Sequence, residues 1–439
     1  MATCTIKKRK KKLKITLPLN LNSDFQTIKN YYDNDLNLNN NLKKTSNDIS
    51  TPIDCVIEMV NKVPEYFWKK KNIKILDPCC GFGNFPFIIY HKLLKYHTQK
   101  HILENILYFN DMNIERLNIL KKVFLINKFK LNIFNIDFLN FKNNIKFDLI
   151  VANPPFAKFS INGKRASKNH NMITSFIVKS LELLEKNGYL LYITPDNFMS
   201  FSDRNKLIVK LTSLQIHHIN IHTAKKKYFK KVGSSFVWYL IENTKAYKDI
   251  NIEGIWKKKL YKSTVKSEPR KFIPLFYNKI IQSIIHKIID KKNEKFKVET
   301  CSDLHKYTKK NLISSIEDEH FKFKLIHTPS QTVYACRPHK YQNGYKVFIS
   351  TTTYYSTFID NCGMTQSVAF IRCDSKNEAD NIKKILMHPI YVFINNICRY
   401  GNFNNIRVLQ QFPKCLKYDN IYKKFNITEE EIKFIEGNF

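Results

Sequence analysis

The stretch ILDPCCGFGNF, residues 75–85, gives the first indication of the fold. A short apolar run ends in Asp77, and the turn that follows carries Gly81 and Gly83, separated by one residue. A strand, a glycine-containing turn and a helix begin a nucleotide-binding βα unit, although the third glycine of the dinucleotide fingerprint is absent here. The stretch therefore predicts a strand whose carboxyl end faces a ligand.

Strand-like and helix-like patterns alternate on both sides of this stretch. Helical periodicity occurs at 50–63, 113–127 and 172–188, and the last of these helices is expected to end at Gly188. Strand-like runs occur at residues 73–76, 106–110, 131–136, 147–152, 189–194, 216–222 and 234–242. We therefore predict an α/β fold with a Rossmann-like, doubly wound and mostly parallel sheet that binds its ligand at the carboxyl ends of the strands.

Three parts are expected along the chain. Residues 1–45 carry the basic run KKRKKKLK at 7–14 and an asparagine-rich stretch without sustained apolar periodicity, so they are predicted to form a flexible arm. The regular alternation ends near residue 248, which predicts an α/β domain at 46–248 and a mixed α+β region at 249–439. The basic run fits a nuclear address, a phosphate-binding tail or a merely solvated tail.

The composition restricts the classes of function. A formal net charge of +36 and an aromatic content of 13% favour a nucleic-acid partner. A/T-rich codons, shared by Lys, Asn, Ile, Phe and Tyr, are an alternative source of the basic charge. The chain has no apolar run of about 18 uncharged residues and no secretory signal, so we expect an intracellular protein without a membrane span. Its ten cysteines lack metal-ligand spacing, so they are interpreted as reduced thiols and no metal is expected.

Three acids follow predicted strands. Asp77 would repel a pyrophosphate but suits a ligand that carries an ammonium and a sulfonium group, such as S-adenosylmethionine. Asp111 is placed to accept both ribose hydroxyls, unless it only caps a helix, a role open also to neighbouring asparagines. Asp137 is placed to accept from an adenine amino group while Phe138 packs on the ring; the alternative is a turn residue beside a core phenylalanine.

The strand FDLIVA at 147–152 runs directly into Asn153-Pro154-Pro155-Phe156. An exocyclic amine on adenine is a poor nucleophile because its lone pair is delocalised into the ring. If the Asn153 side-chain oxygen and the Pro154 carbonyl both accept hydrogen bonds from this amine, the lone pair localises and can attack a methyl donor. The two prolines would fix the backbone, and Phe156 would offer a face for base stacking. The alternative is a turn that merely ends a strand.

Together, the ordered motifs resemble those of the gamma class of S-adenosylmethionine-dependent N6-adenine DNA methyltransferases, in the Asn-Pro-Pro-Tyr/Phe form. The resemblance is closest over residues 50–245. It implies that Thr51 helps to hold the methionine end of the cofactor and that Asn153, Pro154, Pro155 and Phe156 form the catalytic motif. The cofactor-binding residues that it implies are Thr51, Asp77, Pro78, Gly81, Gly83, Asp111, Met112, Asp137, Phe138 and Asn153.

The same resemblance implies how substrate is held. An adenine flipped out of double-stranded DNA would stack on Phe156 and on a second aromatic residue, for which Phe229 is favoured slightly over Tyr228. Residues 249–439 would form the DNA target-recognition domain of an enzyme that acts in restriction-modification or alone. No nuclease domain is apparent.

Two other classes of function remain open. An Asn-Pro-Pro corner also occurs in enzymes that methylate protein glutamine or RNA, but the N-terminal Thr51-Pro52 helix and the long basic carboxy-terminal region favour DNA. A non-catalytic DNA-binding relative is the second alternative, and the intact Asp77, Asp111 and Asn153 argue against it.

Overall fold

The computed structural model describes residues 19–38, 49–142, 144–156, 172–201, 207–230 and 235–438, apart from the side chain of Asn402. The chain divides into two compact units, Met1–Tyr192 and Ile193–Phe439, which are described separately. The predicted domain boundary near residue 248 stays a prediction.

The first unit is built on five parallel strands in the order β3-β2-β1-β4-β5. The strand order reverses at β1, which lies between β2 and β4, and open α/β sheets bind ligands at the carboxyl ends of strands at such a point. The doubly wound α/β fold is thereby confirmed. The strands are β1 Ile75–Asp77, β2 Leu107–Asn110, β3 Asn132–Phe134, β4 Phe147–Ala152 and β5 Leu184–Pro195, whose last three residues belong to the second unit.

Helices precede and connect these strands, and all of them except α5 bury apolar residues. They are α1 Phe25–Tyr31, α2 Ile53–Val60, α3 Glu65–Trp68, α4 Asn84–Leu93, α5 Gln99–His101, α6 Ile114–Val123 and α7 Met172–Leu183. Short π-helical turns occupy Tyr32–Leu36 and Ile102–Ile106, and a 3₁₀ turn occupies Phe138–Asn140. The prediction that Gly188 ends α7 is wrong: the helix ends at Leu183 and Gly188 lies within β5.

The N-terminal region departs from the sequence-based expectation. Residues 25–36 are helical, and Ile28 and Tyr32 are completely buried. Asp33 caps α2, since its Oδ1 accepts a hydrogen bond from the backbone nitrogen of Ile53 at 3.2 Å. The prediction of a flexible arm is therefore wrong for residues 19–38. The basic run at 7–14 lies outside the described residues.

The second unit begins with four strands in the order β7-β6-β8-β9. Strand β6 pairs antiparallel with β7 and parallel with β8, and β8 forms an antiparallel pair with β9. The bounds are β6 Leu214–Ile221, β7 Phe236–Lys245, β8 Ile250–Trp256 and β9 Lys259–Val265.

Two smaller four-stranded sheets complete the second unit, in the orders β10-β17-β14-β15 and β11-β13-β12-β16. Their strands are β10 Glu299–Thr300, β11 Ile313–Ser314, β12 Phe323–Thr328, β13 Gln331–Ala335, β14 Lys346–Ser350, β15 Thr357–Asp360, β16 Gly363–Met364 and β17 Val368–Arg372. These sheets and the helices around them confirm a mixed α+β organisation.

The helices of the second unit are mostly short. They are α8 Leu207–Ser213, α9 Thr223–Tyr228, α10 Lys279–Ile285, α11 Lys376–Leu386, α12 Pro389–Ile397, α13 Ile406–Leu409, α14 Ile421–Lys424 and α15 Glu429–Gly437. A π-helical turn occupies His286–Asp290, and 3₁₀ turns occupy Asp196–Met199, Lys310–Leu312, Tyr400–Asn402 and Tyr418–Asn420. Within the described ranges, no helix combines the length and the apolar character that a membrane crossing requires.

Candidate functional site

Two neighbouring strands of the first unit end in buried acids. Asp77 is the last residue of β1, and Asp111 directly follows β2. They are 3% and 9% exposed. Burial, with the charge of Asp111 as a smaller cause, raises the pKa of Asp77 well above its ordinary value. Such a carboxyl group favours a cationic ligand, because a nearby positive charge stabilises its ionised form.

Asp111 organises the glycine turn. Its Oδ2 accepts a hydrogen bond from the backbone nitrogen of Gly81 at 2.8 Å, and its Oδ1 accepts one from that of Asn113 at 2.7 Å. A carboxylate oxygen can accept more than one hydrogen bond. These contacts therefore orient the carboxylate and are compatible with the predicted contacts to ribose hydroxyls. The helix-capping role belongs to Asn113, whose Oδ1 accepts from the backbone nitrogens of Glu115 and Arg116.

The two glycines have different roles. Both have left-handed backbone conformations, with φ of +55° at Gly81 and +92° at Gly83. A Cβ atom at Gly81 would meet nothing within 4 Å, whereas one at Gly83 would lie 2.8 Å from Cε2 of Phe124. Gly81 thus leaves open space beside Asp111, as close approach of a ligand requires. The packing against Phe124 is sufficient to explain Gly83.

Asn110 joins three of the strand-end loops. It is 1% exposed, and its Nδ2 donates to the carbonyl oxygens of Pro78 at 2.9 Å and Ile136 at 3.1 Å. Its Oδ1 accepts from the backbone nitrogen of Ile136 at 3.2 Å. From the sequence, the asparagines beside Asp111 were predicted only as helix caps, and this bridging role of Asn110 was missed. The position of Asn110 at the end of an apolar strand, next to Asp111, was the sequence feature from which this role could have been predicted.

The side chain of Asn153, at the end of β4, has a defined orientation. Its Nδ2 donates to the carbonyl oxygen of Ile49 at 2.9 Å and to Oγ1 of Thr51 at 3.0 Å. Both hydrogens of the amide nitrogen are therefore used, and Oδ1 is the atom left to accept from a substrate. The Thr51 hydroxyl orients Asn153 by accepting this hydrogen bond, and the predicted contact of Thr51 with the cofactor stays a prediction.

The N-terminal segment, residues 19–38, forms hydrogen bonds with the glycine turn and with the start of α4. The completely buried Tyr32 donates from its hydroxyl to the carbonyl oxygen of Phe82, within the glycine turn, at 2.9 Å. Asn84, at the start of α4, donates from Nδ2 to Oδ1 of Asn37 at 3.0 Å and to the carbonyl oxygen of Thr51 at 2.8 Å. The segment predicted to be flexible thus contacts the glycine turn through Tyr32, and through Asn37 it contacts Asn84, which also binds the backbone of Thr51.

The other residues predicted to bind the cofactor have varied surroundings. Asp137 begins the turn after β3 and accepts from the backbone nitrogen of Leu139 at 3.0 Å, whereas Met112 is 58% exposed. Phe138 is only 1% exposed and its ring lies 5.2 Å from that of Phe176. This burial is contrary to the prediction that Phe138 packs on adenine, because almost none of its ring is accessible to a ligand.

The three residues that follow Asn153 differ in solvent exposure. Pro154 is buried, Pro155 is exposed and Phe156 is partly buried. The described residues stop at Phe156 and resume at Met172. The Phe156 ring therefore remains a candidate for contact with a substrate.

The second predicted stacking residue needs a correction. Phe229 is 3% exposed and stacks on Phe236, with 4.8 Å between ring centroids. Tyr228, the last residue of α9, is only partly buried. The ring of Phe229 is therefore too buried for the predicted stacking on a base. Tyr228 is the more accessible of the two candidates. In the described part of the chain, no group of three or more His, Cys, Asp or Glu is placed to hold a metal ion.

Three solved structures have folds similar to that of this chain, and two of them are restriction-modification enzymes. The DrdV–DNA complex has a TM-score of 0.55 and 10% identity, covering 94% of this chain and 59% of DrdV. The type ISP enzyme LlaBIII bound to DNA has a TM-score of 0.53 and 10% identity, covering 89% and 38% of the two chains. The type IIL enzyme MmeI in complex with DNA has a TM-score of 0.51 and 10% identity, covering 81% and 64%. At these identities the likeness concerns the fold alone.

Sequence comparison identifies the family. The type II methyltransferase M.AccI of Acinetobacter calcoaceticus is 29% identical over 153 residues, a match that covers 30% of this chain and 25% of M.AccI. The chain thus aligns with about a quarter of the length of that relative. A profile of the Eco57I restriction-modification methylase family matches residues 5–229, just over half of the 439 residues, and includes all of the strand-end acids and Asn153. The chain therefore belongs to the Eco57I restriction-modification methylase family.

Proposed function

We propose that this protein transfers a methyl group from S-adenosylmethionine to the exocyclic amine of an adenine in double-stranded DNA. The observation that carries the proposal is the orientation of Asn153, whose Nδ2 is engaged by Ile49 and Thr51 so that Oδ1 is the acceptor left for a substrate. The membership of a restriction-modification methylase family supports DNA as the substrate.

The residues at the strand ends fit S-adenosylmethionine. Asp77 is a buried carboxyl group whose pKa is raised, so a cationic ligand would stabilise its ionised form. Asp111, fixed by the backbone of Gly81 and Asn113, would accept the ribose hydroxyls, and the open space at Gly81 would admit the ligand. We assign Asp137, the partly exposed acid after β3, to the adenine of the cofactor. When bound, the cofactor would supply an electrophilic methyl group on a sulfonium ion.

The catalytic task of the protein is to make the adenine amine nucleophilic. Hydrogen bonds from the amine to Asn153 Oδ1 and to the Pro154 carbonyl would draw its hydrogens out of the plane of the ring, so that the lone pair leaves conjugation and localises on nitrogen. The nitrogen would bond to the methyl carbon as the carbon–sulfur bond of the cofactor breaks with its electron pair going to sulfur, and the nitrogen would then release a proton to solvent. The adenine would have to leave the base stack, and the Phe156 ring would compensate part of the unstacking cost by stacking on the flipped base.

The charge of the protein is consistent with this substrate. The formal net charge of +36 would attract the phosphates of a duplex and make binding dependent on salt. DrdV, MmeI and LlaBIII, which share the fold, are seen in complex with DNA. We therefore assign duplex DNA as the macromolecular partner.

Binding of S-adenosylmethionine is expected to release a proton from Asp77. The ligand-free protein holds this proton to higher pH than an ordinary aspartate does, so its stability falls as pH rises from the ordinary pKa through the raised pKa. A cationic ligand lowers the pKa again and expels the proton. Titration calorimetry at a series of pH values, in buffers of different ionisation enthalpy, measures the release. Enthalpies independent of buffer at every pH would contradict this role of Asp77.

The substrate class is tested by competition for methyl label. The purified protein is given S-adenosylmethionine with a labelled methyl group and equal masses of duplex DNA, RNA and a bacterial protein extract. We expect label in the DNA and none above background in the other two. Label in RNA or protein would replace the proposed function by one of the alternatives, and no transfer to any substrate would indicate a non-catalytic relative.

A further inference from the structure

The second unit presents an unusually exposed tyrosine on a loop with many hydrogen bonds. The loop, residues 351–356, joins β14 to β15, which form an antiparallel pair. Tyr354 is 84% exposed, the largest value among the large hydrophobic side chains of the described residues. Its neighbour Tyr355 is buried and donates from its hydroxyl to the carbonyl oxygen of Leu386 at 3.0 Å. The loop therefore buries one tyrosine as an anchor and presents the next to solvent.

Asn404 fixes the backbone of this loop. Although it is only 2% exposed, its Nδ2 donates to the carbonyl oxygens of Ser350 at 2.7 Å and Thr353 at 3.0 Å. Its backbone nitrogen donates to the carbonyl oxygen of Thr351 at 3.0 Å, and its Oδ1 accepts from Nδ2 of the buried Asn395 at 2.9 Å. Three carbonyls of one short segment are thus held by a single buried residue. A loop ordered in advance loses less conformational entropy when it binds a partner.

Arg399 adds a positive charge at the exposed ring. Its guanidinium carbon lies 5.1 Å from the centroid of the Tyr354 ring, and its Nη2 donates to the carbonyl oxygen of Thr353 at 3.0 Å. Phe403, which immediately precedes Asn404, is 59% exposed. Tyr354 and Arg399 therefore pair an exposed aromatic ring with a planar cation, the groups that stack on bases and contact phosphates.

We propose that the loop 351–356 is a DNA-contacting element in which the Tyr354 ring packs on bases of the duplex and Arg399 holds that ring while facing a phosphate. This inference rests on the proposed function for its choice of partner. The tyrosine contributes little to folding at 84% exposure, yet its loop is fixed by buried asparagines. An isolated exposed aromatic residue is unremarkable by itself. Here the backbone of the loop is fixed and the ring is paired with a cation, and both features suit binding to DNA, which carries phosphates and stacked bases.

The test measures the affinity of the full-length protein for a fluorescently labelled 40-base-pair duplex, of about the length that covers several helical turns. Tyr354→Ala is expected to weaken binding by about 10-fold, and Tyr354→Phe by less than about twofold, because the phenyl ring still stacks. Arg399→Gln is expected to reduce the slope of log affinity against log salt by about one, whereas Arg399→Lys, which keeps the charge, retains the slope. The matched control is Tyr345→Ala at the opposite end of β14, an exposed tyrosine outside the loop.

Thermal unfolding and S-adenosylmethionine binding are measured for each variant, and we expect both to be unchanged for Tyr354→Ala. Binding of duplex by Tyr354→Ala as tight as that of the Tyr345→Ala control would overturn the proposal and indicate that the surface serves a protein partner or none. This failure is distinguishable from failure of the proposed function. In the latter case the unaltered protein itself would transfer no methyl group to DNA, whatever the affinity of the loop variants.

Discussion

Replacing Asn153 by alanine is expected to lower the turnover number of methyl transfer by at least about 100-fold, the usual cost of removing one preorganised group that stabilises a transition state. The amide oxygen acts on the adenine amine, and its contribution is realised mainly when the amine becomes nucleophilic. Affinity for S-adenosylmethionine is therefore expected to remain within about twofold of the original value. Single-turnover kinetics and titration calorimetry measure the two quantities.

The control for this variant is Asn140→Ala, which removes an exposed asparagine in the same unit. It should retain full turnover. An Asn153→Ala protein that methylates DNA at the original rate would exclude the amide from the chemistry, and a loss of cofactor binding as large as the loss of turnover would make Asn153 a binding residue.

Replacing Asp111 by alanine is expected to weaken S-adenosylmethionine binding by on the order of 100-fold, because hydrogen bonds to a charged group contribute about 1.5–3 kcal/mol each. The variant also loses the acceptor for the Gly81 and Asn113 backbone nitrogens, so some fall in thermal stability is expected. Calorimetry well below the unfolding temperature separates the two effects.

Two further variants make the Asp111 result specific. Asp111→Asn keeps one oxygen for the Gly81 turn but removes the charge, so it should regain stability and only part of the affinity. Asp380→Ala, which removes an exposed aspartate of α11, should leave binding unchanged. Unaltered affinity in both Asp111 variants would remove this residue from the cofactor site.

The fold of the first unit was predictable because its signals are local. A buried parallel strand such as β4 appears as a continuous apolar run, and strand ends are marked by acids and glycines. For this reason the prediction located the strand that ends at Asp77 and the strands that end just before Asp111 and Asn153. The end of α7 was predicted wrongly. Gly188 was taken as the residue that ends the helix, but it lies within β5, next to Asn187, which has a positive φ of 61°.

The contacts that orient the site depend on residues distant in the sequence. The hydrogen bond of Asn153 to Thr51 spans 102 residues, and that of Tyr32 to Phe82 spans 50. The segment around Tyr32 is rich in Asn and Asp, which suggested mobility, yet Ile28, Tyr32 and Leu36 are buried, and Tyr32 donates a hydrogen bond to the glycine turn. The burial of Phe138 and Phe229 was equally inaccessible, because an aromatic residue beside a motif has the same local pattern whether it meets a ligand or the core.

The proposed reaction transfers the methyl group to the exocyclic amine of adenine. Its most direct test is mass spectrometry of nucleosides from duplex DNA that has been incubated with the purified protein and S-adenosylmethionine, with the Asn153→Ala protein as the control reaction. We expect N6-methyladenine as the modified nucleoside, and we expect none in the control. A methylated cytosine would rule out adenine as the methyl acceptor, and methylated adenine formed equally well by the Asn153→Ala protein would rule out the proposed role of Asn153.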